Sequence, residues 1–119
     1  MAEGNFLKRR RVPRRPFLTK VGILFRGEYM LGESFEIGER GMLLTSQFDL
    51  KSEDFCVVSF ILPGLFIAVV RGCVRYSKVI EGRPAFGIEF ENLDFVFRRR
   101  IRQFVAQRTS GTLIDELDQ

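Results

Sequence analysis

The sequence predicts a mainly β domain of about six antiparallel strands, as a barrel or a sandwich, followed by one helix and preceded by a basic arm. Three observations point there. From Leu18 to Phe90, apolar and polar residues alternate with period two in short segments divided by turn residues. After Asn92 the apolar spacing changes to that of a helix. Residues 1–20 hold seven Lys or Arg against one Glu, whereas residues 21–119 hold twelve basic and fourteen acidic residues. The net charge of +4 thus conceals an arm of +6 on a body of −2, which favours a focused anion site over a generally basic surface.

The elements follow in order. Residues 1–16 have sparse apolar content and two prolines, and are expected to be a flexible basic arm. Val21, Ile23 and Phe25 share one face of the first strand, with Lys20, Gly22 and Arg26 on the other. Tyr29, Leu31, Glu33, Phe35 and Ile37 continue the alternation, with polar Ser34 and Glu36 between them. Met42 and Leu44 begin a third short strand after Gly41, and SQFDLKSED reads as a loop. FCVVSFILPG and LFIAVVRGCVRYSKV are long β-branched strands that meet at Pro63-Gly64; IEGRP turns the chain and AFGIEFE is the last strand. Asn92 and Asp94 are candidate N-caps. Phe97, Ile101, Phe104 and Val105 then fall at i, i+4, i+7 and i+8, one apolar stripe, with Arg98, Arg99, Arg100 and Arg102 on the other faces. The helix is expected to end near Arg108, before Thr109-Ser110-Gly111. This gives one domain: an arm over 1–16, a body over 17–108 and a polar tail over 109–119.

At 119 residues, with 45% hydrophobic and 29% charged residues, the chain is long enough for one real core, and its 13 Phe are core material first. It has no His, and its two cysteines, Cys56 and Cys73, lie in apolar strand segments and read as reduced core residues. These facts remove Ser-His and Cys-His nucleophile pairs and His-ligated zinc. No carboxylate pair is marked out for acid–base work, so the chain reads as a non-enzyme without metal or cofactor. The N-terminus is polar and then basic, unlike a signal peptide. The longest apolar run, Phe55–Val70, is 16 residues broken by Ser59 and Pro63-Gly64, too short for a membrane span. The Phe surplus hints at an exposed patch for a partner or a dimer, without saying which residues form it.

The basic run KRRRVPRR, Lys8 to Arg15, has three readings. It could be a solvated tail, an arm for nucleic acid or an anionic membrane, or a clamp on a small phosphorylated guanine ligand. Arginine suits the clamp, because its planar fork donates twice to the O6/N7 edge of guanine, stacks on bases and binds phosphate oxygens. Arg10 and Arg14 are four apart, as are Arg11 and Arg15, with Pro13 stiffening the link. Four extended residues span roughly 13 Å, about the size of a cyclic dinucleotide.

The chain combines an RxxxR arm, the turn EIGERGMLL about 30 residues on, and YSK…GRPAFGIEF before a final helix. In this combination it resembles the PilZ domain family, which has Asp/Asn-x-Ser-x-x-Gly followed by apolar residues where EIGERGMLL stands. The resemblance runs from about Lys8 to Val105. It implies a small six-stranded antiparallel split barrel with a C-terminal helix, a bacterial cytoplasmic setting and a receptor for cyclic di-GMP. The implied ligand residues are Arg10 and Arg14 in the best register, with Arg9, Arg11 and Arg15 beside them, and Glu36, Gly38 and Gly41 in the turn. Arg75 and Lys78 could line the same face or lie on a solvent-facing strand; Arg98–Arg102 read as the wet side of the helix. Glu36 stands where the family has Asp or Asn, Gly38 where it has Ser, and Gly41 matches. A lost hydroxyl bond of this kind is worth about 0.5–1.5 kcal/mol. The implied function is a non-catalytic receptor whose arm folds across the nucleotide and presents a changed surface to a partner protein, regulating motility, adhesion or exopolysaccharide. The alternative is an adaptor that binds little or no nucleotide and works by protein–protein contact. A nucleic-acid partner is the reading this combination disfavours.

Overall fold

The computed structural model of the chain describes residues 13–118, the helix beyond residue 107 as backbone. Among the described residues are seven strands and one helix: β1 (Arg14–Pro16), β2 (Lys20–Phe25), β3 (Glu28–Gly38), β4 (Gly41–Thr45), β5 (Phe55–Leu62), β6 (Phe66–Ile80), β7 (Arg83–Phe90) and α1 (Phe95–Asp118). Six strands close into an antiparallel barrel in the order β3-β2-β5-β6-β7-β4, with β4 returning to β3. The extra strand, β1, lies on the stretch of β3 that β2 leaves free. Full closure leaves the barrel without a long unpaired edge.

Local sequence explains most of this. Arg26-Gly27 and Glu81-Gly82 both take positive φ, 50° and 81°, then 51° and 76°. Two consecutive left-handed residues match the twist of a hairpin, and Gly fills the second position at no steric cost. The inward positions of β2, β5 and β6 carry Val21, Ile23, Val58, Phe60, Ala68 and Val70, all buried. Asp94 caps α1: its Oδ1 accepts from Phe97 N at 3.0 Å. The helix closes one mouth of the barrel with the stripe the sequence marks. Ile101 is fully buried, and Phe104 meets Phe17 edge-to-face at 5.3 Å. Phe97 meets Phe66 in the same way at 5.3 Å. Cys56 and Cys73 are buried and unbridged, as expected.

Three expectations are corrected. Arg14–Pro16, assigned to the flexible arm, is β1: Arg14 pairs with Gly38, Arg15 with Ile37 and Pro16 with Glu36. Apolar content understates order there, because the pairing comes from backbone bonds. Second, α1 runs on to Asp118. Thr109-Ser110-Gly111 contains no proline, and one Gly inside a helix costs only about 1 kcal/mol. Third, the faces of β3 are not those of an uninterrupted alternation. Ser34 points inward, 1% exposed, and its hydroxyl donates to the Phe17 carbonyl, while Tyr29 and Leu31 face out. A β-bulge at Phe35, between the Ser34–Leu44 and Glu36–Leu43 pairs, exchanges the two faces, so Ile37 turns in. A second bulge, at Arg75 on β6, separates the Val74–Ile88 and Tyr76–Gly87 pairs.

Candidate functional site

The two bulges flank a cavity on the outer wall of the barrel, of about 390 Å³. Its floor follows from the register. One cross-strand row runs Glu36 (β3), Leu43 (β4), Gly87 (β7), Tyr76 (β6). The next runs Arg14 (β1), Gly38 (β3), Gly41 (β4), Glu89 (β7). Three of these eight positions are Gly, so the floor is largely bare backbone. Arg14, Glu36, Arg40, Arg75, Tyr76 and Glu89 stand around it, with Met42 and Ile88 completing the lining. The shape is that of a ligand site: concave, mostly apolar, with a few convergent polar groups.

Each wall has a local cause. At Gly87 a Cβ would run into the Tyr76 ring, so the absent side chain is what lets the phenol lie across the strand. At Gly38 a Cβ would come within 2.8 Å of the Pro13 carbonyl oxygen and 3.3 Å of Arg14 Cγ. Gly38 therefore lets β1 lie close, and β1 carries Arg14 to the cavity. Arg14 donates to Glu36 Oε1 at 2.9 Å, a diagonal pair across β1 and β3. Burial works to lower the Arg14 pKa, but hydrogen bonds to Glu36 and Tyr76 outweigh it, and the guanidinium is held charged. Arg75 is bound on both sides, Nε to Glu89 Oε1 at 2.8 Å and Nη1 to both Glu53 oxygens at 3.0 Å. The Glu89 and Glu53 hydrogen bonds raise its pKa further.

Below the cavity the β3–β4 turn is tied to the helix. Glu39 receives Arg102 Nη2 at 2.7 Å and lies 3.6 Å from Arg98. The Arg102 hydrogen bond pulls the Glu39 carboxyl below its ordinary range. Two arginines of the helix's charged face thus hold the turn rather than only meeting water.

Arg14, Glu36, Gly38, Gly41 and Arg75, singled out from the sequence, come together here. Arg15 does not. Strand alternation sends it to the helix side, where Nη1 donates to the Phe104 carbonyl at 2.9 Å and the guanidinium lies 3.6 Å from the Phe104 ring centroid. Arg9, Arg10 and Arg11 fall outside the described residues. Arg40, Tyr76 and Glu89 were missed by sequence reasoning. The available signal was the hairpin itself: pairing β6 with β7 sets an aromatic opposite a glycine. Among the described residues, no group of three or more His, Cys, Asp or Glu could hold a metal ion, and no helix is long and apolar enough to cross a membrane.

The profile of the PilZ domain family matches residues 8–107, which takes in β1, the glycine-floored turn and the whole barrel. The chain belongs to the PilZ domain family. No curated protein matches it. Among solved structures, the PilZ fold recurs in the Bacillus subtilis inhibitor of motility MotI/DgrA, with TM-score 0.78 and 14% identity over 84% of this chain and 51% of that one. It recurs in Escherichia coli YcgR in complex with c-di-GMP, with TM-score 0.73 and 12% identity over 92% and 50%. It recurs again in the Klebsiella pneumoniae MrkH–c-di-GMP complex, with TM-score 0.61 and 20% identity over 91% and 53%. These are likenesses of fold, and the chain spans about half the length of each of those proteins.

Proposed function

We infer that this PilZ domain is a non-catalytic receptor for cyclic di-GMP, and that the cavity on the barrel wall is its site. The observation that carries the reading is the convergence of Arg14, Glu36 and Tyr76 over a floor of three glycines. Each group has chemistry suited to a guanine nucleotide. Arg14 would donate its fork to the O6/N7 edge and give up Glu36 to do so. Glu36, one methylene longer than the family's Asp, would then accept from the N1–H and N2–H of the base. The Tyr76 ring offers a stacking face, and the bare backbone of Gly38 and Gly41 lets a phosphate approach closely. Arg10, four residues before Arg14, would take the second half of the ligand, with Arg9, Arg11 and Arg40 adding positive charge.

Gly38 gives up the family's hydroxyl but draws in β1, so Arg14 is held at the cavity before ligand arrives. Having Arg14 in place beforehand lowers the cost of binding. The occupied site would present a changed surface to a protein partner in a bacterial cytoplasm.

The test is titration calorimetry of cyclic di-GMP into the chain, with GTP and GMP as controls. Micromolar or tighter binding of cyclic di-GMP alone is expected, lost at least tenfold in Arg10→Ala and in Arg14→Ala, with the melting temperature kept. The Arg14–Glu36 pair is part-exposed and worth only about 0–1 kcal/mol to the fold. No binding by calorimetry or equilibrium dialysis overturns the receptor reading and leaves that of a protein adaptor.

A further inference from the structure

The turn between β3 and β4 sends its two side chains to different places. Gly38 pairs with Gly41, so Glu39 and Arg40 alone make the turn. Glu39 goes to the helix, where it accepts from Arg102 Nε at 3.2 Å and Nη2 at 2.7 Å, with Arg98 3.6 Å away. Arg40 goes to the cavity and is part of its lining. The Arg40 carbonyl accepts from Phe90 N at 2.8 Å, one step past the Gly41–Glu89 pair that ends the β4–β7 ladder. The turn is therefore fastened to the helix on one side and to β7 on the other, and Arg40 stands on a fixed base.

Arg40 also differs from the other two arginines of the cavity. Arg14 is committed to Glu36, and Arg75 to Glu89 and Glu53. Among the described residues no ion pair joins Arg40 to a carboxylate. The register shows which part of a nucleotide such a cation would meet. Glu36 and Tyr76, the acceptor and the ring, lie in one cross-strand row. Gly38, Gly41 and Glu89 lie in the next, two residues along the strands and roughly 7 Å on. Arg40 stands just beyond the two glycines. The row ends on β7 at the Glu89 carboxylate, which disfavours an anion there, whereas Arg40 attracts one to the glycine floor.

We propose that Arg40 is the phosphate-binding residue of the cavity, and that Glu39, held by Arg102, is the positioning residue that aims it. The inference rests on the reading of the cavity as a cyclic di-GMP site and assigns one contact within it. A phosphodiester spreads its negative charge over two oxygens, which a guanidinium fork meets with two parallel N–H donors. Because the turn is held in advance, only the Arg40 side chain has to be ordered on binding. The two arginines then divide the nucleotide, Arg14 taking the base and Arg40 the phosphate.

Calorimetry of cyclic di-GMP with the intact wild-type chain comes first. A wild type that binds none overturns the receptor reading, and this inference with it. With binding in hand, Arg40→Ala should weaken it by about tenfold or more, the loss of a charge-assisted contact. Arg40→Lys, which keeps the charge without the fork, should recover only part of that. Phosphorus NMR of the bound ligand should differ between wild type and Arg40→Ala. Glu39→Gln should weaken binding in the wild-type background and add little in the Arg40→Ala background, since it acts through Arg40. Affinity of Arg40→Ala equal to wild type, or an unmoved phosphorus signal, overturns the assignment of Arg40 while the receptor reading stands. Equal losses from Glu39→Gln in the two backgrounds overturn the positioning role.

Discussion

Gly38→Ala separates the position of β1 from the stability of the barrel. The added Cβ would sit 2.8 Å from the Pro13 carbonyl oxygen, about 0.6 Å short of the 3.4 Å at which ordinary contact begins. The obstacle is backbone, so no side chain can swing away and β1 itself must move outward. That strains the short ladder joining Arg14–Pro16 to Glu36–Gly38. Two weakened backbone hydrogen bonds cost about 1–2 kcal/mol. Against this, replacing Gly with Ala reduces the freedom of the unfolded chain, a gain of about 0.4–1 kcal/mol. The two terms nearly cancel in the global melt, which should shift by only a few degrees. They do not cancel in ligand binding, because the displaced strand carries Arg14. A docking equilibrium moved by about 1.4 kcal/mol lowers affinity tenfold. Calorimetry with cyclic di-GMP, beside a thermal melt of the same sample, reads both quantities. Affinity equal to or tighter than wild type would refute the reasoning, and Gly38→Ser, which restores the family's hydroxyl at the same clash, should fall in the same direction.

Ile101→Ala removes a fully buried side chain from the helix that closes the barrel and should cost about 2–5 kcal/mol in urea unfolding; a loss below about 1 kcal/mol would mean the helix is not part of the core. The Glu39 carboxyl is stabilised in its charged form by Arg102, so its pKa is lower folded than unfolded. Its contribution is therefore present above its ordinary value of 4.5 and lost as pH falls through the folded one. The melting-temperature gap between wild type and Glu39→Gln should shrink from pH 6 to pH 3; a constant gap contradicts the pairing. Burial pushes the Cys56 thiol up to about 11 and the Cys73 thiol up as well. Neither should react with a thiol reagent at pH 8 until denaturant is added, and prompt reaction in the folded protein would count against both burials.

Fold class was legible in the sequence because both of its signals are periodic. The stripe of Phe97, Ile101, Phe104 and Val105 marks one helix, and β-branched runs between Gly-containing turns mark the strands. The residues that gather at the cavity were legible in part: Arg14, Glu36, Gly38, Gly41 and Arg75 stand out as charges and glycines in turns. Single-residue insertions were not legible. The bulges at Phe35 and Arg75 each shift the alternation by one, and a period-two reading carried across them assigns Ser34 to the wrong face. Arg14 and Arg15 look alike in the sequence, yet opposite faces of one three-residue strand send them to the cavity and to Phe104. The Tyr76–Gly87 contact depends on pairing, a relation between strands that neither strand shows alone.

The protein has no Trp and two Tyr. One, Tyr76, stands in the wall of the cavity. The other, Tyr29, is 62% exposed on the outer face of β3 and does not line the cavity. Its near-ultraviolet emission therefore comes from two fluorophores, each stationed at a different surface. With Tyr29→Phe the remaining signal would report only on the cavity, and with Tyr76→Phe only on the outer face of β3. Occupancy of the two surfaces could then be followed separately, in one unlabelled molecule, by the wavelength at which it already glows.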